Sequence, residues 1–228
     1  ILTKALGSGT IMAAEMALTR LPGVILGEAV ATCLALMGES LAPAASALAP
    51  IAHAMTDVTG FGLAGHLLEI CEASNTGATL RLADLPLLPA AEALAEAGEA
   101  SSLAPQNRAA CLGRITGDQT SPRAALMFDP QTCGGLLAAV PGSAAPALLA
   151  ALPEARAIGH LVFVEAAQVF GAAVRLGHVV EHEDKAVFTV DHDRAGRHQP
   201  GDALALALRN HELTKRLRNI LSELIVIP

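Results

Sequence analysis

Apolar positions along the chain follow two rhythms, and each predicts a kind of element. Leu63, Leu67, Ile70 and Cys71 fall at i, i+4, i+7 and i+8, one face of a helix. Residues 78–83 alternate apolar and polar, as a half-buried strand does. A further helix is expected from Gly7-Ser8-Gly9 through Met12, Met16 and Leu21 to a stop at Pro22-Gly23. Helical patterns also cover 28–37, 40–49, 90–97 and 146–152, while 98–106 reads as a small-residue loop and 108–115 as a helix or a strand. Strands are expected at 1–4, 51–58, 124–128, 136–140, 157–164, 173–180 and 186–190. Leu204, Leu208, Leu213, Leu217, Ile220, Leu221 and Leu224 give 202–224 an amphipathic helical pattern, with a basic face between Arg209 and Arg218. Helices and strands mix without a strict β-α-β alternation. The expected class is therefore α+β, a mixed sheet packed against helices, with a domain over 1–190 and a carboxy-terminal extension over 191–228.

Composition narrows the functional classes. Apolar residues make up 52% of the 228 positions and charged ones 16%, which excludes a disordered tail. Aromatic content is 2%, with no Trp or Tyr, so the stacking platforms of a single-strand nucleic-acid binder are missing. A net charge of −7 disfavours a phosphate backbone as partner. Mean hydropathy of +0.46 raises the question of a membrane. The long uncharged run after Asp129 is nevertheless broken by Gly134, Gly135, Pro141, Gly142, Pro146 and Pro153, which a spanning helix would not tolerate. Cys33, Cys71, Cys111 and Cys133 form no Cys-x-x-Cys pair and read as free thiols of a cytoplasmic protein. Ile1-Leu2-Thr3-Lys4 looks like the middle of a strand, so an amino-terminal part of a longer protein is expected to precede it.

The segment Ala52-His53-Ala54-Met55-Thr56-Asp57-Val58-Thr59-Gly60-Phe61-Gly62-Leu63-Ala64-Gly65-His66 concentrates the candidate chemistry. A strand carries one carboxylate, Asp57, into a glycine-dense turn that opens a helix. Glycine lets a backbone approach a ligand closely, and a helix start offers N–H groups to an anion. Asp57 beside such a turn suits a hard cation such as Mg²⁺ held against a phosphate, with Thr56, Thr59, Gly60 and Gly62 as nucleotide-binding candidates. Two other readings stand beside this one. Asp57 serves as a helix N-cap or turn carboxylate, with the glycines needed for packing. Alternatively, Gly60-x-Gly62-x-x-Gly65 belongs to a dinucleotide-binding oxidoreductase domain with Asp84 as the ribose acid, although the polar His53, Thr56 and Asp57 sit poorly in a buried parallel strand.

These residues resemble a known family. Ala52-His53-Ala54 followed by Thr56-Asp57-Val58-Thr59-Gly60-Phe61-Gly62-Leu63 is similar to the carboxy-terminal domain of the selenide, water dikinases (selenophosphate synthetases). Leu2-Thr3-Lys4-Ala5-Leu6-Gly7-Ser8-Gly9, Asn107, and Asp129-Pro130-Gln131-Thr132-Cys133-Gly134-Gly135-Leu136-Leu137 agree in order and spacing. The likeness runs from residue 1 to about 152 and loosely to about 190. It implies the carboxy-terminal fold of the aminoimidazole ribonucleotide synthase superfamily, and an ATP-dependent phosphotransferase that turns selenide and water into selenophosphate, AMP and phosphate for selenocysteine synthesis. It also implies Mg²⁺ as cofactor, with Asp57 as one ligand, a homodimer, and an amino-terminal ATP-binding domain carrying the reactive Cys or selenocysteine and its Lys. This chain then holds no catalytic nucleophile, and Lys4 is not the catalytic lysine. The chain departs from the pattern at Ala5, where Pro is usual, and at Cys133, where Ser is usual. A non-catalytic dimerisation or binding domain of the same fold is the competing reading.

The remaining polar residues divide between plain and functional roles. Asp129 either bonds the N–H groups of its own turn or takes part in function. Cys133 is either a packed turn residue or a reactive thiol. His66 falls off the helix's apolar stripe and reads as a satisfied polar residue rather than a ligand. His178, His182, His192 and His198, with the acids around them, read as solvated loop charge or as a transition-metal site.

Overall fold

The computed structural model describes residues 1–163 and 185–188. The expected strand at 173–180, the helix at 202–224 and the histidines from 178 to 198 lie outside them. Three helices come first: α1 (Ser8–Met16), α2 (Leu26–Gly38) and α3 (Ala42–Leu48). The chain then runs through β1 (Ala54–Asp57), α4 (Gly62–Ser74), β2 (Thr76–Arg81), α5 (Ala91–Glu96), α6 (Ala104–Cys111), β3 (Ile115–Gly117) and α7 (Pro122–Ala125). It continues through β4 (Leu136–Ala139), α8 (Ala145–Ala151), β5 (Gly159–Phe163) and β6 (Lys185–Phe188). β1 pairs with β4, and a four-stranded sheet has the order β3-β6-β2-β5. The class is α+β as expected. The strand pairs are all antiparallel rather than mixed, and parallel bridging among the described residues is confined to Leu6 and Leu87.

Two apolar clusters meet at a short 3-10 turn, Leu126–Phe128. Leu126 packs with Ile11, Leu26, Cys33, Leu88 and Leu94 beneath α1 and α2. Met127 and Phe128 face the other way, onto Leu63, Leu67 and Leu68 of α4 and onto Leu2, Leu6, Val58 and Leu137. Each such side chain contributes about 1.5–3 kcal/mol through burial. The turn is therefore a wedge shared by both halves of the core. The apolar run 124–128 was expected as a strand, but Ser121 starts a helix there. Its Oγ accepts from the Ala124 N–H at 3.2 Å, and Pro122 occupies the first turn, where its missing donor costs nothing.

Other boundaries move for local reasons. α1 stops at Met16, short of Pro22, because Leu18 takes a left-handed conformation (φ 53°) and Thr19 donates to the Glu99 carboxylate at 2.6 Å, turning the chain away. The loop expected to reach Gln106 gives way to α6, with Pro105 in its first turn. α4 ends at Asn75, which takes the left-handed cap position (φ 51°). No single described helix is long and apolar enough to cross a membrane, and α2 with α3 approach that length only across a 57° bend.

Buried polar groups are tied to backbone. The Lys4 ammonium, 5% exposed, donates to the carbonyls of Leu36 and Glu39 at 2.8 Å each and of Cys133 at 3.1 Å. It thus satisfies the carbonyls left over at the end of α2 and sits on the negative end of that helix. Cys33, Cys71 and Cys111 are buried, and burial pushes their thiols up, away from the reactive thiolate. Lys4→Met should lower stability by about 2–4 kcal/mol, read as a fall in the urea midpoint at unchanged slope.

Candidate functional site

β1 ends on Asp57, and its period of two decides what that residue does. Thr56 is half-buried, Asp57 points to solvent, and Val58 turns fully inward. The Asp57 backbone lies opposite Leu136 of β4. Its carboxylate makes no hydrogen bond or ion pair among the described residues. The N-cap reading is therefore overturned: the residue at the start of α4 is Phe61, and no side chain caps it. Nor does a ready-made metal cluster surround Asp57, since no group of three His, Cys, Asp or Glu gathers among the described residues.

The turn after Asp57 is fastened from four sides. Val58 N–H donates to Gly135 O at 2.8 Å, and Thr59 O accepts from Gln131 N–H at 2.9 Å and Gly62 N–H at 3.0 Å. Thr59 N–H donates to His66 Nε2 at 3.1 Å, and the Thr59 hydroxyl lies 3.2 Å from the same nitrogen. Asn107 Nδ2 donates to both Gly60 O, at 2.8 Å, and Phe128 O, at 3.0 Å. The Thr56 hydroxyl makes a long contact, 3.4 Å, with Asp57 O.

The loop of residues 129–135 supplies much of that fastening and is itself fixed to α1. Gln131 Oε1 accepts from Gly7 N–H (3.1 Å), Ser8 N–H (3.2 Å) and Ser8 Oγ (3.1 Å), while Thr132 N–H donates back to Ser8 Oγ (3.0 Å). Asp129 accepts from Gly9 N–H (3.0 Å) and from the Thr10 hydroxyl (2.9 Å). Its carboxylate also accepts from Gln131 Nε2 at 3.0 Å, so it joins its own loop to the start of α1 rather than bonding only the N–H groups of its turn. At 1% exposure, burial pushes the Asp129 carboxyl above the usual carboxylate range against the opposing pull of the bonds from Thr10, Gln131 and Gly9. Close approach does the rest. A Cβ on Gly134 would lie 2.0 Å from Val58 O, and one on Gly135 would lie 2.4 Å from Lys4 N. Cys133, expected as a packed residue, is exposed in this loop with φ 49°.

The glycines after Asp57 have unlike duties. Gly62 is buried at φ +70°, and a Cβ there would meet Met127 O at 2.8 Å and the Phe128 carbonyl carbon at 2.9 Å. Its N–H is already spent on Thr59 O. Gly62 thus serves packing, and its N–H is engaged within the turn. Gly65 keeps clear of Phe61, whereas a Cβ on Gly60 would meet nothing within 4 Å. Thr56, Asp57, Thr59 and Gly60 come together at the end of β1. The dinucleotide reading fails on topology, because β1 and β2 lie in different sheets and pair antiparallel. Asp84 is engaged with Arg81 on a 3-10 turn.

A cavity of about 630 Å³ lies elsewhere. Leu67 and Ile70 of α4, Ala78 and Leu80 of β2, Leu137 of β4 and Ile158 give it an apolar wall, and Asp57 is not part of it. His53, exposed, lines its mouth. Sequence reading missed the remote capping by Gln131 and the carbonyl-binding role of Lys4. The one available signal was the Ser8-Gly9-Thr10 helix start, whose own residues supply no cap.

Comparison with known proteins decides the family. The profile described as "AIR synthase related protein, C-terminal domain" matches residues 1–171. The chain belongs to that family. Among curated relatives, this AIR synthase related domain is 39% identical over 135 residues to a selenide, water dikinase of Paraburkholderia xenovorans, covering 58% of this chain and 34% of the relative. It is 38% identical over 170 residues to that of Photorhabdus laumondii, covering 72% and 44% respectively. With the selenide, water dikinase of Salmonella typhimurium it shares 38% over 165 residues, covering 71% and 46%. The chain thus spans less than half the length of these relatives.

Two measurements check this geometry. Gly134→Ala should cost about 3 kcal/mol or more, whereas Gly60→Ala should stay within about 0.5 kcal/mol, both read by urea unfolding. With a raised folded value, the stability tied to protonated Asp129 is fully present below the ordinary carboxylate range and lost as pH rises through the raised value. Asp129→Asn should therefore flatten the fall in stability as pH rises above the ordinary carboxylate range.

Proposed function

We propose that this domain is the carboxy-terminal part of an ATP-dependent selenophosphate synthetase, in which Asp57 is one ligand of a Mg²⁺ ion shared with the nucleotide. The observation that carries the proposal is the Asp57 carboxylate, exposed and without a partner among the described residues, at the end of a strand whose following turn is firmly held. The fit to Mg²⁺ is chemical. A hard, anionic oxygen is what that ion takes, and one or two carboxylates with waters and phosphates suffice for it. No group of three His, Cys, Asp or Glu that could hold a metal gathers among the described residues, so on this reading further ligands come from the remainder of the protein. The likeness to selenide, water dikinases supports ATP and selenide as substrates.

Bound Mg²⁺ neutralises charge on the phosphates during transfer. The chain's own residues do the positioning. Thr59 and Gly60 fix the turn, Thr56 flanks the carboxylate, and Asp57 presents one charged oxygen pair to the cleft between domains. Selenide chemistry belongs to the amino-terminal half, and the cytoplasm with its reduced thiols suits it. On this reading the isolated chain forms no AMP from ATP and selenide. Fused to the amino-terminal region of a relative, it should form AMP, and Asp57→Asn should cut that rate by about 100-fold or more with unchanged folding. Full activity of the Asn variant would overturn the assignment.

A further inference from the structure

We propose that His66 and Asn107 are positioning residues for Asp57, an inference that rests on the cation reading of that carboxylate. His66 is 6% exposed and Asn107 8% exposed, and neither hydrogen-bonds to Asp57. Each instead holds one backbone group of the turn that follows it. A backbone N–H can only donate, so His66 Nε2 accepts from Thr59 with its lone pair. The ring proton then sits on Nδ1, facing Glu69 Oε2 at 3.2 Å, which fixes the neutral tautomer. The Phe61 ring, 5.6 Å away and tilted by 52°, packs against the imidazole. Asn107 reaches across from α6 and takes Gly60 O together with Phe128 O, so it ties the turn to the wedge of the core.

The physical consequence concerns direction. A free carboxylate at a strand end samples many orientations unless the next residues are fixed, and a cation bound through one side chain gains only if that side chain is already aimed. Gln131 and Gly62 secure the carbonyl of Thr59, whereas among the described residues the Thr59 N–H is anchored by His66 alone and the Gly60 carbonyl by Asn107 alone. Loss of either leaves the β1–β4 pairing intact and frees the turn.

The test uses this chain joined to the amino-terminal region of a relative and loaded with a non-hydrolysable ATP analogue, so that the remaining ligands are present, with Mn²⁺ as a paramagnetic stand-in for Mg²⁺ and nuclear magnetic resonance as the readout. In the parent chain, His66 should show an unprotonated Nε2, and Mn²⁺ should broaden amides around Asp57 in a manner abolished by Asp57→Asn. His66→Leu should raise Thr59 amide exchange about tenfold and weaken the Mn²⁺ broadening, with Leu67 and Leu68 amides still protected. His66→Gln, whose side-chain oxygen can reach the Nε2 position, should restore both. Asn107→Ala should weaken the broadening through Gly60 and provides a second route if His66→Leu does not fold. A protonated Nε2, or broadening that persists unchanged in His66→Leu and Asn107→Ala, overturns this inference alone. Absence of Asp57-dependent broadening in the parent chain sinks the cation reading, and this inference with it.

Discussion

The loop of residues 129–135 has to satisfy two neighbours at once, and most of the described structure depends on that constraint. On one side its Asp129 and Gln131 side chains cap α1, whose own residues provide no cap. On the other its backbone lies against Val58 and Thr59, closer than any side chain would permit at Gly134. A buried carboxylate is costly unless every lone pair finds a donor, so this network holds together or fails as a unit. The amino-terminal segment, α1 and the end of β1 are thereby fixed to one another through a loop far along the sequence.

Within that frame, polarity is distributed unequally. The backbone groups of the turn after β1 are consumed internally, by His66, Asn107, Gln131 and Gly62. The Asp57 carboxylate is left over and faces out. A lone outward carboxylate on a rigid turn is a poor binding site by itself and a good contribution to one completed by another domain. That division of labour accords with a domain less than half the length of its selenide, water dikinase relatives.

Much of this was legible in the sequence where one element decides its own fate. The stripe Leu63, Leu67, Ile70 and Cys71 marks α4, and the placement of Asp57 at a strand end follows from the turn chemistry of its neighbours. What sequence could not settle were choices made by distant partners. The run 124–128 is apolar enough for a strand, but Ser121-Pro122 and burial on two sides make it helical. Asp129 looks like a turn residue until α1 is folded against it. The packing role of Gly62 is set by the carbonyls of 127–129, which close against it. Cys133 reads as packed, yet the glycines beside it do the packing and leave it exposed.

The most direct measurement is a crystal structure of this chain joined to the amino-terminal region of a relative, grown with Mg²⁺ and a non-hydrolysable ATP analogue. The account predicts an Asp57 carboxylate oxygen about 2.1 Å from a Mg²⁺ ion that also contacts the analogue's phosphates. A nucleotide-bound structure in which every metal is held without Asp57, and that side chain still faces bulk solvent, would contradict it.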